Sequence, residues 1–249
     1  MTRVLLLGGT AEATLIARAL ADARIGGMFS YAGRTTTPAA QPLQTRIGGF
    51  GGAKGLADTI RREGFSHVID ATHPFARQIS RNSIAACAET QTPLVAFERA
   101  PWRAEPDDDW QHVSDVEAAV AALPMAPSRV FLAIGKQHLA PFAARPQHFY
   151  LLRLVDPPEN PLPLRAAAIV IARGPFTAES DIALLRLHRI THVVAKNAGG
   201  EGARAKLSAA RALGARVILI KRPPLPERHV VRSVAELMLW LGQTARLGV

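Results

Sequence analysis

The stretch Val4-Leu5-Leu6-Leu7-Gly8-Gly9-Thr10-Ala11-Glu12 decides the fold. Four successive apolar residues suit a strand buried on both faces of a parallel sheet, and the two glycines mark a tight turn. Ala13, Leu15, Ile16, Ala19 and Leu20 then recur at helical spacing. The order strand, glycine turn, helix aims the positive end of a helix dipole and its unpaired N–H groups at the turn, so a phosphate belongs there. The dinucleotide spacing G-x-G-x-x-G is not met, since its positions fall on Gly8, Thr10 and Ala13. A capping turn without ligand is the competing reading.

The second strand, residues 28–32, decides between cofactors. It runs into Gly33-Arg34-Thr35-Thr36-Thr37. NAD sites carry an acid near this strand end for the ribose 2′-hydroxyl, whereas arginine accommodates a 2′-phosphate. Arg34 beside three hydroxyls, with no acid, predicts NADP(H).

At 249 residues the chain exceeds a typical single domain. No apolar run approaches the roughly 20 residues of a membrane helix, and Gly8 and Glu12 interrupt any signal-peptide core. No membrane partner and a cytoplasmic location are expected. The single cysteine, Cys87, excludes an internal disulfide and lies at apolar helical spacing, as a buried structural thiol would. Lysine and arginine total 30 against 20 acids, and only five of the 30 are lysine. Arginine-rich positive charge suits a polyanionic partner. The basic residues are scattered and aromatics make up only 6%, which argues against nucleic acid.

Strand and helix alternate along the first half. Strands are expected at 44–47, 67–71 and 94–97, and helices at 56–63 and 75–90. The composition then turns to Pro, Asp and Trp over 100–110, a helix fits 117–123, and Pro124 and Pro127 break the chain. This predicts a first domain over 1–126 and a second over 127–249. In the second, strands are expected at 130–134, 149–154, 169–172, 193–195 and 217–220, with helices at 178–187, 203–213 and 234–245. The expected fold class is α/β, two Rossmann-like three-layer domains with parallel sheets and a ligand cleft between them.

Asp70-Ala71-Thr72-His73-Pro74-Phe75-Ala76 occupies a strand-to-helix junction, the edge at which open α/β sheets bind ligands. Thr72 and Pro74 suit a helix start, while His73 and Phe75 suit a flat ring. In the second half, Gly135-Lys136, Arg173, Lys196-Asn197-Ala198-Gly199-Gly200 and Lys221-Arg222 close successive strands, which predicts an anion site. Neither tyrosine has a lysine four residues on, so the Tyr-x-x-x-Lys acid-base pair is missing. His188 and His192 straddle a helix end and a strand start, and no metal is expected.

Together these segments resemble the precorrin-6A reductase family of cobalamin biosynthesis. The likeness rests on Leu7 to Glu12, Gly33-Arg34, Asp70 to Ala76, Gly135-Lys136, Lys196 to Gly200 with Lys206, and Arg222-Pro223. The resemblance implies an NADPH-dependent reductase acting on a ring double bond of a tetrapyrrole polycarboxylate. It would put Gly8, Gly9, Thr10, Ala11 and Glu12 around the pyrophosphate and ribose, and Gly33, Arg34 and Thr35 at the 2′-phosphate. Gly49, Thr72, His73 and Pro74 would line the nicotinamide side. Lys136, Arg173, Lys196, Asn197, Gly199, Gly200 and Lys206 would form the substrate site. It names no general acid. An NADP-binding module without turnover and a reductase of another conjugated polyanion, including the cobalt-containing form, are the alternatives.

Overall fold

A computed structural model describes residues 2–33 and 39–246. It divides into two compact units, one made of Met1–Arg99 with Pro223–Val249, the other of Ala100–Arg222.

Unit 1 carries the parallel strands β1 (Arg3–Leu7), β2 (Gly26–Tyr31), β3 (Gln44–Ile47), β4 (His67–Asp70), β5 (Leu94–Phe97) and β12 (His229–Val231), in the order β12-β5-β4-β1-β2-β3. Its helices are α1 (Ala11–Asp22), α2 (Gly52–Glu63), α3 (Arg77–Thr90) and α7 (Val234–Arg246). The apolar run of β1 is explained by its two-sided burial. Val4 and Leu6 enter a core with α1 and α7, while Leu5 and Leu7 enter one with α2 and α3, as the period of two requires. All four are at most 1% exposed, each worth about 2 kcal/mol of apolar burial. Cys87 lies in the second core, and burial pushes its thiol up to about 12. A nucleophile is not expected there, in line with the sequence.

Unit 2 repeats the design. Its sheet has the order β6-β11-β10-β7-β8-β9, from β6 (Trp110–Val113), β7 (Arg129–Ala133), β8 (Phe149–Leu154), β9 (Ala167–Ile171), β10 (His192–Lys196) and β11 (Arg216–Ile220), all parallel. The helices are α4 (Val116–Ala121), α5 (Ala178–Leu187) and α6 (Ala205–Ala212). Where unit 1 follows β1 with α1, unit 2 follows β7 with two 3-10 helices, Lys136–His138 and Ala140–Ala144.

Read from the switch point outward, both sheets share one strand order, and the sixth strand of each is exchanged. β6 follows β5 in the chain but pairs with β11, and β12 follows β11 but pairs with β5. The boundary expected near 126 therefore falls at 99/100, with a return at 222/223. Neither Trp110-Gln-His-Val nor His229-Val-Val has the apolar run that betrays a buried strand, since each is a half-exposed edge. A further difference concerns α3, which begins at Arg77 rather than 75. Thr72 does not cap it, because the Thr72 hydroxyl donates to Asp70 Oδ1 at 2.6 Å, and Pro74 lies in the preceding turn.

Expressed alone, residues 100–222 should show cooperative thermal unfolding by circular dichroism. Residues 1–126 should aggregate, since α7 residues Leu237 and Leu241, at most 2% exposed in the intact core, would be missing. Burial also lowers the pKa of His67, His148 and His192 below 6.5. The unfolded chain then binds protons first as pH falls, so stability is full above pH 6.5 and declines below it. The melting midpoint should be flat above about pH 7 and fall between roughly pH 6.5 and 5.

Candidate functional site

In unit 1 the carboxyl ends of β1, β2 and β4 finish level, with Leu7 opposite both Ser30 and Asp70. The ladder runs one residue beyond them: Gly8 N–H donates to Ser30 O at 3.0 Å, and Ala71 N–H to Leu7 O at 2.9 Å. Gly8 lies against the Phe29 ring, where an added Cβ would come within 2.2 Å of it, so the close approach requires glycine. At Gly9 a Cβ would meet nothing within 4 Å, which leaves its backbone open to a ligand.

Thr10 caps α1. Its hydroxyl accepts from Ala13 N–H at 3.1 Å and donates to Ala71 O at 2.8 Å, joining the helix start to the end of β4. Ala11 opens the helix. Glu12, in its first turn, pairs with Arg99 at 3.2 Å through one oxygen. The other oxygen, Oε2, is buried without a hydrogen-bond partner among the described residues.

Beyond this edge lies a cavity of about 500 Å³. Of the residues singled out by sequence, Gly8, Gly9, Gly33, Gly49, Thr72 and His73 line it, together with Phe75. Thr10, Ala11, Glu12 and Pro74 do not, and Arg34 and Thr35 lie outside the described residues. Phe75 N–H donates to His73 Nδ1 at 3.2 Å, which puts the proton of the neutral ring on Nε2. The glycine-rich turn is held by Arg46, which sequence alone did not single out. Its guanidinium donates to Gly48 O and Gly49 O, each at 2.6 Å, and lies 4.0 Å from the Phe50 ring. An open glycine turn at a helix start and a cavity with aromatic and glycine walls fit a dinucleotide.

In unit 2, Lys136 and Arg173 are exposed at the ends of β7 and β9. Arg173 sits in a loop pinned by Arg153, which pairs with buried Asp181 at 2.5 Å and lies 3.9 Å from the Phe176 ring. Lys196 ends β10. Asn197 is 7% exposed, and both ends of its amide serve the backbone of Trp102: Oδ1 accepts from Trp102 N–H at 2.8 Å, and Nδ2 donates to Trp102 O at 3.0 Å. Trp102 Nε1 donates to Gly200 O at 2.8 Å. Arg222 donates to Asn197 O and Ala198 O, both at 3.0 Å. Gly199, at φ +70°, is so close that a Cβ would stand 2.2 Å from Ala100 O. Lys206 Nζ lies 4.9 Å from the centre of the Trp102 ring and donates to Ala203 O. Asn197, Gly199, Gly200 and Lys206 thus meet in one braced loop whose described contacts are made within the protein.

The family model described as precorrin-6x reductase CbiJ/CobK matches residues 3–242. The chain belongs to the precorrin-6x reductase family. A precorrin-6A reductase of Rhodobacter capsulatus is 65% identical over 97% of this chain and 96% of its own length. One of Rhodococcus erythropolis is 43% identical over 99% and 100%. The solved structure of a CobK precorrin-6A reductase matches with a TM-score of 0.95 at 64% identity, over 98% of this chain and 97% of that one.

For this family member, the doubly bonded Thr10 hydroxyl yields a direct test. Thr10→Ala should lower stability by about 1–2 kcal/mol and weaken dinucleotide binding, whereas Thr10→Ser should keep both, as read by chemical denaturation and calorimetric titration.

Proposed function

We propose that this reductase transfers hydride from NADPH to a ring double bond of precorrin-6A, giving precorrin-6B in cobalamin biosynthesis. The observation that carries the reading is a family match over nearly the whole chain on a sheet whose switch point, between β1 and β4, bears the open glycine turn and the Thr10-capped helix. A reduced nicotinamide supplies the hydride, and a proton taken up alongside it completes the saturated C–C bond.

Gly8 brings the turn close, the N–H groups at Gly9, Thr10 and Ala11 hold the pyrophosphate, and Glu12 stands at the ribose side of the same helix start. Gly49, Thr72, His73 and Pro74 bound the nicotinamide side. Gly33, Arg34 and Thr35 take the 2′-phosphate, a choice supported by the missing acid after β2. On unit 2, Lys136, Arg173 and Lys196 meet substrate carboxylates. Lys206 with the braced loop of Asn197, Gly199 and Gly200 fixes where Lys196 stands. Positioning and charge complementarity are the protein's contribution, since the macrocycle is itself conjugated and accepts hydride without a metal.

The reaction is tested by following NADPH oxidation with and without precorrin-6A. Stoichiometric oxidation only in its presence is expected. Arg34→Ala should raise KM for NADPH by roughly tenfold to a hundredfold, the worth of one charge-assisted phosphate contact, and leave KM for NADH unchanged. NADPH binding without turnover would overturn the reading in favour of a cofactor-binding module.

A further inference from the structure

Unit 2 contains a second recess, of about 470 Å³, at the carboxyl ends of β10, β11 and β6. Pro101 and Trp102 form its apolar wall, and Arg103, His112, Lys221 and Arg222 its polar one. No carboxylate lines it among the described residues.

The absence of a countercharge is informative because acids stand close by in sequence. Glu105, Asp108 and Asp109 are each engaged by an arginine of the same unit: Glu105 by Arg204 and Arg211, Asp108 by Arg211 at 2.8 Å, and Asp109 by Arg216 at 2.9 Å. Arg103 and Lys221 form no ion pair among the described residues. Arg222 is committed to the carbonyls of Asn197 and Ala198 and so fixes the wall.

The recess also ends a row of cations. Along the sheet the carboxyl ends bear Arg173 after β9, Lys136 after β7, Lys196 on β10 and Lys221 after β11. Four inter-strand steps from β9 to β11 span about 19 Å. A single small anion needs one such end, whereas a rigid disc with carboxylates around its rim can engage several.

We propose that the recess is a carboxylate subsite, in which Arg103 and Lys221 bind one acidic side chain of the tetrapyrrole while Pro101 and Trp102 cover its methylene stem. The inference rests on the reductase reading above and extends the substrate contacts beyond Lys136, Arg173 and Lys196.

The test uses the full-length protein and precorrin-6A, reading both steady-state kinetics and the Kd for precorrin-6A without NADPH. Lys221→Ala and Arg103→Ala should each raise KM and Kd for precorrin-6A about five- to tenfold, with kcat and KM for NADPH unchanged. Lys221→Arg should recover most of the loss. Arg186→Ala, on the exposed side of α5, controls for net charge and should change nothing. Unchanged KM and Kd in both variants, or an equal rise in Arg186→Ala, would overturn the subsite while wild-type turnover left the reductase reading standing. A wild-type protein that does not oxidise NADPH with precorrin-6A would overturn the reductase reading, and the subsite with it.

Discussion

The sheet edge of unit 1 that bears the glycine turn depends on one hydroxyl. Thr10 accepts from the first turn of α1 and donates to the carbonyl that follows β4, so a single side chain fixes the helix start against the strand on the far side of the switch point. Without it the level ends of β1 and β4 would still form, because they are held by ladder bonds and two-sided burial. The N–H groups of the helix would lose their aim. Affinity for an anion at a helix terminus comes from such fixed dipoles, which need no reorganisation when the ligand arrives.

The two units solve the same problem differently. Both present a six-stranded sheet of one strand order, yet only unit 1 keeps a helix after its central strand. In unit 2 the 3-10 helix opening at Lys136 replaces it, and there is little macrodipole to use. Side-chain cations stand at the strand ends instead. Fixed backbone donors suit a diphosphate of constant shape. Long arginine and lysine side chains suit carboxylates spread around the rim of a ring.

What could be read in the sequence follows what burial imprints on it. β1 was legible because a strand covered on both sides must be continuously apolar, and Gly8, Gly9 and the cationic strand ends were legible because their chemistry is local. β6 and β12 were not, since a half-exposed edge leaves no pattern, and with them went the true division of the chain. Thr72 read as a helix cap because the acceptor that captures it, Asp70, is only two residues away and competes with the helix. The brace between Asn197 and Trp102 was not legible because the two stand 95 positions apart. The supports supplied by Arg153 and Arg222 were illegible for a related reason: each acts through carbonyls, rings or acids that only the folded chain brings near, whereas Arg46 acts within its own turn, on Gly48, Gly49 and Phe50.

The exchanged sixth strands also set an order of events during synthesis. Every strand of unit 2 has been made once the chain reaches Arg222. Unit 1, although its first five strands are made earlier, lacks β12 and α7 until residues 229–246 have been made. Until then β5 is an open edge and the face later covered by Leu237 and Leu241 is bare. The usual sequence, in which the amino-terminal domain is finished first, is inverted: the strands of unit 2 are complete before unit 1 receives β12 and α7.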